Sequence, residues 1–189
     1  MKSNDDRYYF YPFNASSLIE RVPLELTELL YRYLVRFKEQ ALDCRLSDDE
    51  FCAFIERGLY NLVEDQINKI GSNVSEKVLV SLIENSDFNK IKHLLDGSEL
   101  SDGIVSFLIE KDYLDYVDNA INNNLTEQLY SGTLLKLFYK KRADLVKTYI
   151  NTNHYTLPDD LFYELFNTDI DFVKLYAKNN ENLSSYQRF

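Results

Sequence analysis

The sequence predicts an all-α chain, an α-solenoid of about five helix-turn-helix repeats behind an N-terminal capping helix. Three observations predict it. Five segments open alike, with an apolar residue, a hydroxyl or proline, and an acid, at intervals of 28, 26, 25 and 32 residues. Apolar residues three and four positions apart follow each opening, which places them on one face of a helix. The 189 residues include only 5 glycines and 3 prolines, too few for the tight turns of an all-β fold or for a glycine-rich phosphate loop.

Residues 1–45 read as an aromatic segment followed by the capping helix. The run Tyr8-Tyr9-Phe10-Tyr11-Pro12-Phe13 is dense in aromatics within a polar tail. It is expected either to fold over the first hairpin or to anchor a partner, since Tyr and Phe are effective interface residues. Leu26, Leu29, Leu30, Tyr33, Leu34 and Phe37 then fall at helical spacing between Glu25, Glu28, Arg32, Arg36 and Lys38, which predicts an amphipathic helix over 24–42.

The repeats are expected at 46–73, 74–99, 100–124, 125–156 and 157–182. Their openings are Leu46-Ser47-Asp48, Val74-Ser75-Glu76, Leu100-Ser101-Asp102, Leu125-Thr126-Glu127 and Leu157-Pro158-Asp159. Each combines an apolar staple, an oxygen able to accept from free backbone amides, and an acid at the positive end of the helix. In the fifth, Thr156 is expected to cap and Pro158 to sit in the first turn. Core pairs follow: Phe51 with Phe54 and Ile55, Leu79 with Leu82 and Ile83, Val105 with Leu108 and Ile109, Phe162 with Leu165 and Phe166. The fourth repeat has Leu129, Tyr130, Leu134 and Leu135, in looser register.

A second helix is predicted in every unit from Tyr60-Asn61-Leu62-Val63, Phe88-Asn89-Lys90-Ile91, Leu114-Asp115-Tyr116-Val117, Ala143-Asp144-Leu145-Val146 and Ile170-Asp171-Phe172-Val173. Asn or Asp holds the second place in all five, where it is expected to cap the helix. Gly71, Gly97 and several asparagines follow, residues suited to the left-handed conformation that ends helices. Leu183-Ser184-Ser185-Tyr186 reads as a sixth opening cut short, a C-terminal cap.

The strings Ala143-Asp144-Leu145-Val146-Lys147 and Ile170-Asp171-Phe172-Val173-Lys174-Leu175 resemble the second helix of ankyrin repeats, a resemblance that spans residues 46–180. The Thr-Pro-Leu-His opening of that family is absent, and HEAT-like or other helical-hairpin arrays stay open. The resemblance implies a protein-binding scaffold whose first helices line a concave surface, with no catalytic residues.

The net charge of -10 is uneven: residues 1–45 carry seven basic and seven acidic side chains, so the repeats hold the whole imbalance. Such a surface repels phosphates and anionic lipid and favours basic proteins. The concentrated basic cluster, Lys136, Lys140, Lys141, Arg142 and Lys147, is read as a solvated helix end. Cys44, Cys52, His93 and His154 lack the spacing of a metal site or a nucleophile pair, so no cofactor or metal is expected. No apolar run reaches membrane-spanning length and no secretion signal opens the chain, which predicts a cytoplasmic protein with reduced thiols.

The reading is of a non-catalytic module that binds a basic protein, with no role for nucleic acid or membrane. An inhibitor or immunity-type protein that occludes a nuclease-like toxin or defence protein fits best; an adaptor or effector joining host proteins is the alternative. The residues expected to bind the partner are Asp48, Asp49, Glu76, Asp102, Glu127, Asp159, Asp160 and Tyr163. The acids among them are expected to stack into a ridge along one edge. The sequence carries no signal for oligomeric state.

Overall fold

Serines that precede three of the predicted first helices do what their position requires. Ser47, Ser75 and Ser101 take extended backbone and accept from the amides of Glu50, Val78 and Ile104 at 3.4, 3.4 and 3.3 Å. The apolar residue before each serine, Leu46, Val74 or Leu100, is buried. In the computed structural model, which describes residues 15–40 and 45–179, those residues are mostly helical. Among those residues there are twelve α-helices and two short 3-10 turns, and one isolated parallel bridge between Leu100 and Thr126. The chain divides into two units, Met1–Leu94 and Leu95–Phe189.

The first unit contains α1 (Ala15–Arg21), α2 (Leu24–Gln40), α3 (Asp48–Glu56), α4 (Tyr60–Ile70), α5 (Glu76–Asn85) and α6 (Phe88–Ile91), the last continued by a 3-10 turn over Lys92–Leu94. Here α3 is the central element. It packs on α1, α4 and α5, and Phe51, Phe54 and Ile55 are fully buried within it. The second unit contains α7 (Asp102–Glu110), α8 (Leu114–Asn122), α9 (Ser131–Tyr139), α10 (Ala143–Asn153), α11 (Asp159–Thr168) and α12 (Ile170–Asn179). Each of α7, α9 and α11 packs on the helix that follows it, α9 also packs on α7 and α11, and α10 packs on α8. Along the second helices Val63 and Ile67, Ile91 and Leu95, Val117 and Ile121, and Val146 and Ile150 are buried, as their spacing predicts.

The turns between paired helices follow a rule that capping by the second-place Asn or Asp does not describe. Asn61, Asp115 and Asp144 lie inside the first turn of α4, α8 and α10, whose N-cap residues make no side-chain cap. The preceding helix ends instead in a left-handed residue: Gly58, Asp112 or Lys141, at φ 73°, 68° and 64°. The amides of Leu59, Tyr113 and Arg142 reach back to the carbonyls of Phe54, Leu108 and Leu137 at 3.0, 2.9 and 3.0 Å, closing a Schellman turn. Before α6 and α12 an aspartate caps: Asp87 accepts from Asn89 N at 3.0 Å and Asp169 from Phe172 N at 3.0 Å. Asn89 and Asp171 again sit too late to cap, each two places after the capping aspartate.

The fourth opening is displaced. No helix begins at Glu127; residues 127–130 are not helical and α9 starts at Ser131. Leu100 N donates to Leu125 O and Glu127 N to Leu100 O, so this stretch is drawn into the parallel bridge rather than into a helix turn. Leu129, fully buried, takes the staple position, while Tyr130, expected in the core, is exposed. Staples at Leu46, Val74, Leu100, Leu129 and Leu157 place every hairpin turn twelve residues on, at Gly58, Ser86, Asp112, Lys141 and Asp169. In the fifth repeat Pro158 is the N-cap and makes no side-chain cap, so Thr156 does not fill that role.

Buried tyrosines complete two of these staples. The amides of Leu129 and Leu157 donate to the phenol oxygens of Tyr149 and Tyr176, one helix on, at 2.7 and 2.8 Å. An amide left unpaired there would cost about 1–3 kcal/mol, so each tyrosine both fills the core and satisfies the backbone.

The N-terminal helices depart most from expectation. A separate helix, α1, precedes the predicted one and seals Ala15 and Ile19. Its C-terminal carbonyls are capped by the Arg57 guanidinium, which donates to Ile19 O and, at 2.7 Å, to Val22 O. The inward side of α2 is Thr27, Tyr31, Leu34 and Lys38, not the leucine stripe. Tyr31 meets Phe54 edge-on and Lys38 pairs with the buried Glu50 carboxylate at 2.8 Å. Leu26, Leu29, Tyr33 and Phe37 face outward instead. The Tyr8–Phe13 run, Cys44 and Leu183–Tyr186 lie outside the described residues.

Candidate partner-binding surface

The expected acidic residues start from helix N-termini, where the macrodipole favours them, but their surroundings differ. In the first unit Asp48 and Asp49 open α3 and Glu76 opens the adjacent α5. Asp49 is bridged to Lys77, which holds the Lys77 ammonium above its ordinary range, and Asp48 lies 4.0 Å from Arg45. In the second unit Asp102 is half-buried and accepts from Tyr130 N at 2.8 Å, so it positions the start of α9. Asp159 and Asp160 open α11 on the exposed side, one turn before Tyr163. Glu127 is exposed but lies in the non-helical stretch before α9, and does not belong to a row of helix starts.

The basic cluster is not a solvated helix end. Lys136 reaches Glu110 and, at 2.6 Å, Ser106; Lys140 pairs with Asp112 at 2.9 Å. Arg142 forks between Asp118 and Asp144 at 3.0 and 3.2 Å, and Lys147 pairs with Asp169 while lying 5.6 Å from the Phe172 ring centre. Every one of these bonds but Arg142–Asp144 joins one hairpin to a neighbouring one. They hold Asp144 and Asp169 below the usual carboxylate range, through the hydrogen bonds from Arg142 and Lys147 respectively. Lys141 forms no ion pair among the described residues and occupies the left-handed turn position.

What this arrangement leaves outward on the first helices of the second unit is aromatic and acidic. Tyr130, Tyr139 and Tyr163 are 64, 65 and 70 % exposed. The Tyr139 hydroxyl donates to Glu164 at 3.0 Å, a bond that also raises its pKa. Tyr139 and Tyr163, with Asp159, Asp160 and Glu164, make a surface in which phenol rings stand among carboxylates, while Tyr130 stands at the other end of α9. Tyr163 was legible in the sequence; Tyr130 and Tyr139 were not, because a fourth repeat begun four residues early puts Tyr130 in the core. Their signal is recovered once the repeat is counted from Leu129.

Other clusters offer less chemistry. Cys52 is buried against Lys77 O at 3.8 Å, and burial pushes its thiol up, away from the reactive thiolate. His93 is exposed and bonded to Asn68 at 3.0 Å. His154 closes α10 with left-handed backbone. A hollow of about 600 Å³ beside it is lined by Glu99, Thr126, Gln128, Tyr149, His154 and Tyr155 among others, and is mostly polar. Among the described residues no group of three or more His, Cys, Asp or Glu is arranged to hold a metal ion. No helix there is long and apolar enough to cross a membrane. Comparison of the chain with protein-family models, with curated proteins and with solved structures finds no match.

Proposed function

We propose that the chain is a non-catalytic protein-binding module, an α-solenoid of about five ankyrin-like hairpins that occludes a basic protein partner, as an inhibitor or immunity-type protein does for a nuclease-like toxin or defence protein. The observation that carries this reading is the pair of exposed tyrosines, Tyr139 and Tyr163, among carboxylates on the first helices α9 and α11 of the second unit. Tyrosine supplies large, rigid contact area at low entropic cost, and it is enriched where interfaces concentrate their energy. The surrounding acids steer a basic surface toward them and repel phosphate. Closure of Lys136, Lys140, Arg142 and Lys147 onto carboxylates supports the same view, since it removes the cations that a nucleic acid would need.

The test is affinity capture of basic proteins from native extract, comparing wild type with a variant carrying Asp159→Lys, Asp160→Lys and Tyr163→Ala. Because Asp159 and Asp160 also favour the start of α11, circular dichroism must show that the variant keeps its helix content before its capture is compared. Capture of a basic protein that falls at least about tenfold in the variant, and that weakens with salt, is the expected result. A partner retained equally by both proteins would overturn this assignment of the surface.

A further inference from the structure

The outward face of α2 is apolar in a part of the molecule that the proposed surface does not use. Leu26, Leu29 and Tyr33 are 52, 66 and 64 % exposed, three and four residues apart, and the Tyr33 ring stacks on Phe37 with centroids at 6.3 Å. That stripe lies opposite the side that Thr27, Tyr31, Leu34 and Lys38 turn into the unit. Along one flank of the stripe run four charges in a fixed order, Glu25 and Glu28 in the first half, Arg32 and Arg36 in the second. The midpoints of Glu25 with Arg36, of Glu28 with Arg32, and of Leu29 with Tyr33 all fall at residues 30 and 31.

Such an order is self-complementary in one arrangement. Two identical helices lying antiparallel about a twofold axis at their middle bring the first half of each against the second half of the other. Both glutamates of one copy then face both arginines of its mate, while Leu29 and Tyr33 of the two copies interleave at the axis. A parallel pairing about a twofold axis would put the two charged flanks on opposite sides of the seam, where the glutamates and arginines of the two copies do not meet. We propose that α2 is a homodimer interface, in which a second copy of this chain covers the Leu26–Leu29–Tyr33 stripe by antiparallel pairing. The Glu28–Arg32 bridge at 2.6 Å within one copy is exposed on both sides, so its exchange for a pair between copies costs little.

Sedimentation of the full chain, from dilute to concentrated solution, reads the assembly directly. Wild type is expected to dimerise, and Leu29→Asp, which enters the axis twice, to weaken the dimer at least about a hundredfold without loss of helix content. Charge variants carry the decisive comparison. The pair Glu25→Lys with Glu28→Lys makes one all-positive flank, and Arg32→Glu with Arg36→Glu makes one all-negative flank. Each alone should dimerise about tenfold less well, and an equimolar mixture should form the heterodimer. A chain that is monomeric at every concentration overturns the proposal, as does a dimer that Leu29→Asp leaves intact. A monomer that Leu29→Asp destabilises, meaning that the chain's own N-terminal segment covers the stripe, overturns it too, as does a monomer that loses a captured foreign protein through that substitution. Failure of the Tyr163 surface to bind a partner would leave this result untouched, because the two tests read different helices.

Discussion

The hairpin turn twelve residues after each staple is made in two ways. At Gly58, Asp112 and Lys141 the backbone itself turns left-handed and two amides close on the helix behind. At Asp87, one residue after Ser86, and at Asp169 the backbone keeps negative φ, and an aspartate side chain caps the helix ahead. The first solution satisfies carbonyls at a C-terminus; the second satisfies amides at an N-terminus. The difference teaches why capping chemistry at the second helix misleads. Where the Schellman turn has already fixed the chain's direction, the next helix starts without a side-chain cap, and the Asn or Asp one place inside is free for another use. Asp144 takes that freedom by pairing with Arg142.

The common count of twelve holds only if the fourth repeat opens at Leu129. The largest expected effect tests that register. Leu129→Ala should cost about 3 kcal/mol, the usual scale for emptying a fully buried leucine site, while Leu125→Ala, at a half-buried position, should cost well under half as much. Chemical denaturation of the two variants checks the order, and a reversed order would restore the register beginning at Leu125.

Much of the fold was legible because the signals were periodic. Three serine-led openings, the apolar pairs behind them apart from Leu79, which is half-buried while Val78 takes the core, and the inward second-helix residues Val63, Val117, Val146 and Val173 stand where the spacing put them. What was not legible depended on partners distant in sequence. Leu125-Thr126-Glu127 has the composition of a helix start, yet pairing with Leu100 holds it extended, and a local pattern carries no trace of that neighbour. On α2 two apolar stripes compete, and only the position of Phe54 and Glu50 decides that Tyr31 and Lys38 turn inward. The candidate surface was half visible: Asp159, Asp160 and Tyr163 belong to a regular repeat, whereas Tyr139 needed the corrected register.

A smaller effect separates the two roles of Asp169, cap and ion-pair partner. Its carboxylate accepts from Phe172 N and from Lys147, which holds its pKa below the ordinary range. A depressed carboxylate contributes stability that is complete above the unfolded value near 4 and is lost as pH falls toward the folded one. Asp169→Ala should destabilise the protein at neutral pH through loss of the cap alone. Asp169→Asn keeps an acceptor oxygen but no charge, so its stability should fall less steeply than wild type below about pH 4. Thermal melts from neutral pH into that range would show whether the curves converge on acidification; parallel curves would remove the ion pair from the account.

The finest distinction between the turns is one of sign. Lys141 adopts φ 64° with a side chain that L-residues place there only at a cost of about 1 kcal/mol, whereas Ser86, at the same count from its staple, has φ -120°. Lys141→Gly should therefore stabilise the protein by up to about 1 kcal/mol, because the strain is removed and no ion pair among the described residues is lost with it. Ser86→Gly should destabilise by about half that, because glycine adds freedom to the unfolded chain, an effect that removal of the buried Ser86 hydroxyl, unpaired among the described residues, offsets only in part. Gly58 supplies the reference: it already holds the left-handed position, and the space beside its Cα is open, so Gly58→Ala would lose stability through backbone conformation and not through a clash. Opposite signs at Lys141 and Ser86 require two turn geometries at one register, while equal signs would mean that the backbone at position twelve is the same in every hairpin.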